Sequence, residues 1–316
     1  MTETKPVITV LGLCGDSVFM HVDHFHRSGE TLHADSLYSE PGGKGCNQAV
    51  AAHRLGAEVN FVSCMGRDSI EKTCSAFLTR EGLRLFTEHT NKSASSYACI
   101  LTDSQGENRV TVHRGSAEHL SAGFLRSLEA EIAASDVLLL NNETPFDANL
   151  CALELAEKHG VPAILNPAPY AELPLDYLRR FRLITPNRHE AAAILAADPD
   201  APPEELLSGL RALGIARCVT TLGADGAAAM AGESVILCPP RPVKAADTTG
   251  AGDCFSAALT VRLALGDGLE AAMEYAANAS AYSVQHKYVM PSLPNKEELD
   301  SFFTPLAITK RRIKND

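Results

Sequence analysis

No stretch of about 18 consecutive apolar residues occurs in this 316-residue chain, which leaves no candidate for a membrane-spanning helix. The opening Met1-Thr2-Glu3-Thr4-Lys5-Pro6 lacks the basic-then-apolar order of a secretory signal, so a soluble, cytoplasmic protein is expected. Basic residues are in deficit: 28 Lys and Arg face 39 Asp and Glu, for a net charge of −11. That balance argues against a nucleic-acid surface or a polybasic membrane patch, and a bound polyanion would need help from helix termini or metal. No Cys-x-x-Cys pair is present. The nine cysteines (Cys14, Cys46, Cys64, Cys74, Cys99, Cys151, Cys218, Cys238, Cys254) are odd in number and scattered, which excludes a disulfide framework and a zinc ribbon and reads as reduced thiols. Internal repeats, low-complexity segments and linkers are lacking as well. What remains, 45% hydrophobic and 21% charged residues, is enough to build a substantial core.

The order of the chain is that of an α/β protein. Val7-Ile8-Thr9-Val10-Leu11-Gly12 is a short apolar run ending in glycine, the pattern of a buried parallel strand. Cys46, Ala49, Val50 and His53 recur at helical spacing, and Leu55-Gly56-Ala57 places a glycine where that helix should stop. The alternation continues with a strand over 59–64, a helix over 70–80, a strand over 137–140, a helix over 149–159, and strands over 163–165 and 183–185. Strand and helix in repeated alternation predict a doubly wound fold with a mainly parallel sheet flanked by helices. Two regions break the rhythm. Residues 17–38 alternate apolar and polar without a helical period, and 97–102 and 110–113 flank the turn-forming Asp103-Ser104-Gln105-Gly106-Glu107-Asn108. We expect one domain over 1–316 with a small β-sheet lid, from approximately 14–40 and 92–115, beside the carboxyl ends of the parallel strands where such sheets bind ligands.

Two glycine clusters carry the chemistry. In Asp247-Thr248-Thr249-Gly250-Ala251-Gly252-Asp253, small residues let the backbone approach a ligand, and the helix that follows aims N–H groups at an anion. Asp253 in its first turn is suited to accept a proton from a hydroxyl while those amides steady a phosphoryl group. Taken alone it reads equally as a helix first-turn acid. The other cluster, Pro41-Gly42-Gly43-Lys44-Gly45-Cys46-Asn47-Gln48, also precedes a helix; it lacks the Gly-Lys-Ser/Thr ending of a P-loop and alone could be a tight turn with a surface lysine.

Together, and in this order, the clusters resemble the Gly-Gly-Lys-Gly-x-Asn-x-Ala and Asp-Thr-x-Gly-Ala-Gly-Asp-x-Phe signatures of the ribokinase-like (PfkB-type) carbohydrate kinases. The resemblance runs from Val7 to Phe303. It includes Gly29-Glu30-Thr31, Asn166-Pro167-Ala168-Pro169, Thr185-Pro186-Asn187-Arg188-His189-Glu190 and Thr220-Thr221-Leu222-Gly223-Ala224-Asp225-Gly226. The wording is nearly that of the family's bacterial ribose kinases. It implies an ATP-dependent sugar kinase acting on a primary hydroxyl, with the 5-hydroxyl of ribose as the first expectation. Asp253 would be the base, and the amides of Gly250, Ala251 and Gly252 the anion hole. Gly43, Lys44, Gly45, Asn47 and Glu143 would hold the sugar, joined by Gly15, Asp16 and Ser17. Asn187, Thr221, Gly223, Gly226 and Asn278 would line the nucleotide site. Glu190 would position magnesium, directly or through water, and Asp247, Thr249 and Ser292 would hold a monovalent cation, potassium.

Two departures stand out. The family's Lys-Gly-Ala loop is here Lys287-Tyr288-Val289, and a tyrosine does not take glycine angles cheaply, so a changed loop is expected and potassium activation is left open. Two ribose-holding side chains of the family fall on Gly15 and Ser17, unless a one-residue bulge returns Asp16 to the site; a site that loses a hydroxyl partner discriminates differently. A nucleoside, fructose or a phosphorylated sugar are the alternative acceptors, and a non-catalytic sugar or nucleotide sensor is the alternative outside enzymes. Cys46 and Cys254 adjoin these residues, so thiol modification is expected to inhibit unless both point into the core. His21, His24, His26 and His33 sit at mixed spacings in the lid and are read as exposed or lid-facing side chains. The lid's open strand edges suggest a homodimer through the lid, with sugar and ATP as small-molecule partners and no nucleic acid or membrane.

Overall fold

Residues 4–232 and 234–312 are described by the computed structural model; the opening Met1-Thr2-Glu3 lies outside them. The strands in chain order are β1 (Val7–Leu11), β2 (Gly15–His21), β3 (Ser36–Gly42), β4 (Glu58–Met65), β5 (Arg84–His89), β6 (Ser96–Thr102), β7 (Asn108–His113), β8 (Val137–Asn141), β9 (Ala163–Asn166), β10 (Leu183–Ile184), β11 (Val219–Thr221), β12 (Ala227–Ala231), β13 (Ser234–Cys238) and β14 (Thr309–Arg312). Six of them form a parallel sheet in the order β10-β9-β8-β1-β4-β5. Its inner strands β1, β8 and β9 are apolar at almost every position because both faces are covered, whereas the edge strand β5 is mostly polar. Along β8, Val137 and Leu139 enter one core and Leu138 and Leu140 the other. The first core is shared with the helices Lys44–Arg54, Ser69–Glu81, Ala251–Ala264 and Leu269–Ser283, the second with Phe146–Lys158 and Pro203–Ala212. No helix among the described residues is long and apolar enough to cross a membrane.

Two local features bring the glycine clusters together. A Cβ on Gly12, just after β1, would lie 2.4 Å from the Gly45 Cα, and one on Gly45 would lie 2.4 Å from the Gly12 Cα. The end of the first strand and the first turn of the helix Lys44–Arg54 therefore cross backbone to backbone, which only glycine at both positions permits. The helix Ala251–Ala264 is buried without a break from Asp253 to Val261. A helix apolar all round belongs inside the protein, and burying it carries its N-terminal carboxylate inward.

The expected small sheet forms, in the order β3-β2-β6-β7, from residues 15–42 and 96–113. Its pairings are antiparallel for β2–β3, parallel for β2–β6 and antiparallel for β6–β7. The hairpin turn is closed by Asp103, whose Oδ1 accepts the amides of Gln105 (2.9 Å) and Glu107 (3.0 Å). A third sheet, antiparallel β11-β12-β13-β14, was not expected; it continues the parallel sheet through a bridge from Ile184 to Cys218. Its second strand is Ala227-Ala228-Ala229-Met230-Ala231, helix-forming residues held extended by pairing on both sides.

Candidate active site

Asp253 is where the two clusters meet. Gly43, at φ 107, starts one helix and places Asn47 and Gln48 in its first turns; Gly250, at φ 78, starts the other and places Asp253 in its first turn. The Asn47 Nδ2 donates to Asp253 Oδ2 at 2.8 Å and the Gln48 Nε2 to Oδ1 at 3.0 Å. The same Gln48 Nε2 reaches Asn166 Oδ1 at 3.0 Å, and Asn166 Nδ2 donates to the Thr185 carbonyl at 2.8 Å, so the ends of β9 and β10 brace the group. Asp253 is 4% exposed and is no helix cap; its carboxylate turns to the facing helix. On the other side of each amide, Asn47 Oδ1 and Gln48 Oε1 are buried with no partner among the described residues. Both oxygens are sealed from solvent, so the two amides serve to position the carboxylate.

Three carboxylates surround Lys44. Glu143 follows β8, held by Asn141, whose Oδ1 accepts the Glu143 amide at 3.1 Å while its Nδ2 donates to the Leu11 carbonyl at 3.0 Å. Glu143 Oε2 accepts the Gly45 amide at 3.1 Å. Burial pushes the Glu143 carboxyl up to about 7, with the Asp253 charge adding to it and the Lys44 charge and neighbouring amides opposing. Lys44 is held above its usual range chiefly by Asp253, then by Glu143 and Glu190, against burial. Burial also raises Glu190, which feels the same lysine. A cation among three acids is suited to bridge a hydroxylated ligand and a phosphate.

The anion end lies at the start of the helix Ala251–Ala264. A Cβ on Gly250 would strike Val289 Cγ1 at 2.6 Å, so neither its positive φ nor the packing accepts another residue. The Ala251 amide makes a long contact, 3.3 Å, with the Thr248 carbonyl, while those of Gly250, Gly252 and Asp253 have no acceptor among the described residues. A Cβ on Gly252 would meet nothing within 4 Å, so this glycine borders open space. Asp247 Oδ1 accepts the Thr249 amide (2.9 Å) and hydroxyl (2.7 Å), and its Oδ2 accepts the Tyr288 amide (3.1 Å). Ser292 Oγ donates to the Val289 carbonyl at 2.7 Å. Asp247 and Thr249 are thus tied to each other, and Asp247 and Ser292 each bond the 288–289 backbone. Tyr288 takes φ 66, a left-handed conformation, and its ring stacks on Tyr38 (centroids 4.0 Å apart) and meets Phe19 edge-on (5.2 Å).

On the far side, Asn187 and Glu190 form a reciprocal capping box: Asn187 Oδ1 accepts the Glu190 amide and Glu190 Oε2 the Asn187 amide, both at 2.8 Å. A bridge from Asn187 to Thr221 lays this turn against the loop of Gly223 and Gly226, which take φ 62 and φ 90. Asn278 does not join them. It is fully buried; its Oδ1 accepts from Arg241 and the Thr304 amide, and its Nδ2 donates to the carbonyls of Glu274 and Thr304, so it fastens the C-terminal segment instead.

The register of β2 with β3 and β6 is unbroken from Gly15 to His21, so the bulge that would return Asp16 to the site is lacking. Alternation sends Gly15 and Ser17 to one face and Asp16 to the other, beside Tyr97, where burial raises its carboxyl; its expected place with the sugar residues is corrected. A Cβ on Gly15 would lie 2.1 Å from the Ser96 carbonyl oxygen, so strand spacing itself removes a side chain there. Cys46 and Cys254 are fully buried and point into the core. His21 rests on Asp35, and His24 lies between Asp23 and Glu30. Gln48, Asn166 and Glu40 were missed as site residues, although Gln48 and Asn166 stand in the motifs and differ from their neighbours only by the partners they find.

Against known proteins, the family described as pfkB family carbohydrate kinase matches residues 8–296. The chain is similar to a ribokinase of Haemophilus influenzae, 36% identical over 304 residues, 94% of this chain and 98% of that protein. It is similar to one of Schizosaccharomyces pombe, 34% identical over 311 residues, 94% and 97% of the two chains. Among solved structures, the ribokinase of Arabidopsis thaliana complexed with ribose and ATP superposes with a TM-score of 0.85 at 25% identity, covering 95% of this chain and 99% of that one.

Gly252 separates binding from stability. Gly252→Ala is expected to leave unfolding free energy unchanged or to raise it by up to about 1 kcal/mol, because alanine is the better helix former and meets no neighbour. The methyl group enters the anion cradle, so ATP affinity by calorimetric titration is expected to fall about 10-fold; unchanged affinity would remove these amides from the anion site.

Proposed function

The chain belongs to the pfkB family of carbohydrate kinases, and on that premise we propose that it transfers the γ-phosphoryl group of ATP to the 5-hydroxyl of ribose. The observation that carries this reading is the single helical turn that holds both Asp253, pinned by Asn47 and Gln48, and amides without acceptors. Asp253 takes the proton of the sugar hydroxyl as its oxygen attacks the γ-phosphorus, ADP leaves in line, and the amides at 250–252 stabilise the charge on the transferring group. Asn47 and Gln48 hold the Asp253 carboxylate in place, and Glu143 and Lys44 hold the sugar. Ser17, on the lid face that carries Glu40, closes over it.

Asn187, Thr221, Gly223 and Gly226 are assigned to the nucleotide; Asn278 is not. Glu190 fits magnesium, since only its Oε2 is spent on the capping box, and hard carboxylate oxygens hold this ion directly or through water. Magnesium bound with ATP neutralises phosphate charge. Asp247, Thr249 and Ser292 are assigned to a potassium ion, because Asp247 and Ser292 both bond the 288–289 backbone and Asp247 also holds Thr249. We read the chain as one cytoplasmic α/β domain with its lid.

The free face of the lid supports a homodimer. Strand alternation puts Met20, Leu37, Tyr97 and Leu101 opposite Phe19, Tyr38 and Glu40, and Leu37 is 66% exposed. A second copy would cover this patch. Light scattering is expected to give twice the chain mass, and Leu37→Asp a monomer; a wild-type monomer at assay concentration would remove the dimer.

For the reaction, Asp253→Asn is expected to reduce ribose-dependent turnover by about 10²–10⁴-fold while ATP binding persists. A variant with wild-type turnover would refute the assigned base.

A further inference from the structure

The turn 288–290 receives two carboxylates from distant parts of the chain. Tyr288 at φ 66 is followed by Val289 at φ −98 and ψ −61, a left-then-right pair that swings successive N–H groups to one side. Such a concavity is an anion site, and here both anions are the protein's own. The Tyr288 amide donates to Asp247 Oδ2 at 3.1 Å, the Val289 amide to Glu40 Oε1 at 2.8 Å, and the Met290 amide to Glu40 Oε2 at 3.0 Å. Glu40 is 5% exposed, on β3 of the lid, and the two amides it serves belong to buried residues, so no water can stand in for it. Tyr38, two residues earlier on the same face, stacks on Tyr288, and Phe19 of β2 meets that ring edge-on. Arg54 Nη1 holds the turn from behind by donating to the carbonyls of Met290 (2.6 Å) and Leu293 (2.9 Å).

The other side of the turn leads to the phosphate end. Val289 packs against Gly250, the residue that starts the helix of Asp253, and Asp247 binds Thr249 immediately before it. A continuous set of contacts therefore runs from the lid strand through Glu40, the 288–290 amides and Asp247 to the anion cradle. We propose that Glu40 is a positioning residue that makes seating of the lid over the sugar and ordering of the phosphate-holding turn a single event. When the lid lifts, the Val289 and Met290 amides lose their acceptor and the turn no longer presses on Gly250. When a sugar draws the lid down, the carboxylate completes the turn and the cradle is set for the γ-phosphate. This inference rests on the kinase reading and adds to it a named link between the two halves of the site.

Glu40→Gln keeps the size of the side chain but puts an amide NH2 where one N–H needs an acceptor. With ribose and ATP, kcat is expected to fall and the ribose KM to rise, lowering kcat/KM about 10–100-fold, a misplacement effect transmitted from outside the reacting groups. ATP affinity without sugar is expected to stay within about twofold, and Glu40→Asp, which keeps the charge, to recover part of the loss. Wild-type kinetics in Glu40→Gln, or equal losses for both substrates with no recovery in Glu40→Asp, would overturn the proposal. Should the variants not fold, hydrogen exchange at the 288–290 amides of the wild type decides: protection is expected to rise on adding ribose, and an unchanged rate overturns the link. A wild type inert on every sugar would instead overturn the kinase reading, so the two failures are distinguishable.

Discussion

Two side-chain amides on one helix hold a carboxylate on another, and the cleft is organised around that contact. Asn47 and Gln48 reach Asp253 across some 205 residues of sequence. A buried carboxylate must be paired or hydrogen-bonded, and here both of its oxygens accept from neutral amides. Bringing the helices so close requires the glycine crossing of Gly12 and Gly45 and the left-handed start at Gly250, which explains why glycine clusters precede both helices.

The polarity around this contact exceeds what the fold alone would use. Lys44 lies in the field of Asp253, Glu143 and Glu190, and burial lifts two of those acids. Asn47 and Gln48 each keep a buried oxygen unpaired, and amides at the start of the Asp253 helix lack acceptors. Unsatisfied buried groups are destabilising, and of these the free amides at the helix start are suited to an anion. Their complement is a molecule with several hydroxyls at one end of the cleft and a polyanion at the other.

The parallel sheet was legible because burial on both faces writes continuous apolar runs, and the lid because its strands alternate and flank a turn rich in Asp, Ser, Gly and Asn. The sheet of β11–β14 was not, since an alanine-rich strand carries no β signal and is fixed only by its neighbours. Within the site, the glycine cluster pointed to Asp253, and the family resemblance to Asn47 and Glu143. It left Asp16 open, because face assignment depends on an unbroken ladder, and gave no sign that the Asn278 amide is taken up by Arg241 and Thr304. It missed Glu40, whose partners lie some 249 residues away, and the Tyr38 and Phe19 rings against which Tyr288 rests.

The account stands on the claim that this cleft phosphorylates the primary hydroxyl of a pentose. Phosphorus NMR of the purified protein with ATP, magnesium and ribose measures it most directly. The account predicts ADP together with a phosphomonoester resonance coupled to the methylene protons at C5 of the sugar. ATP left intact, or broken down to inorganic phosphate with no sugar ester, would contradict it.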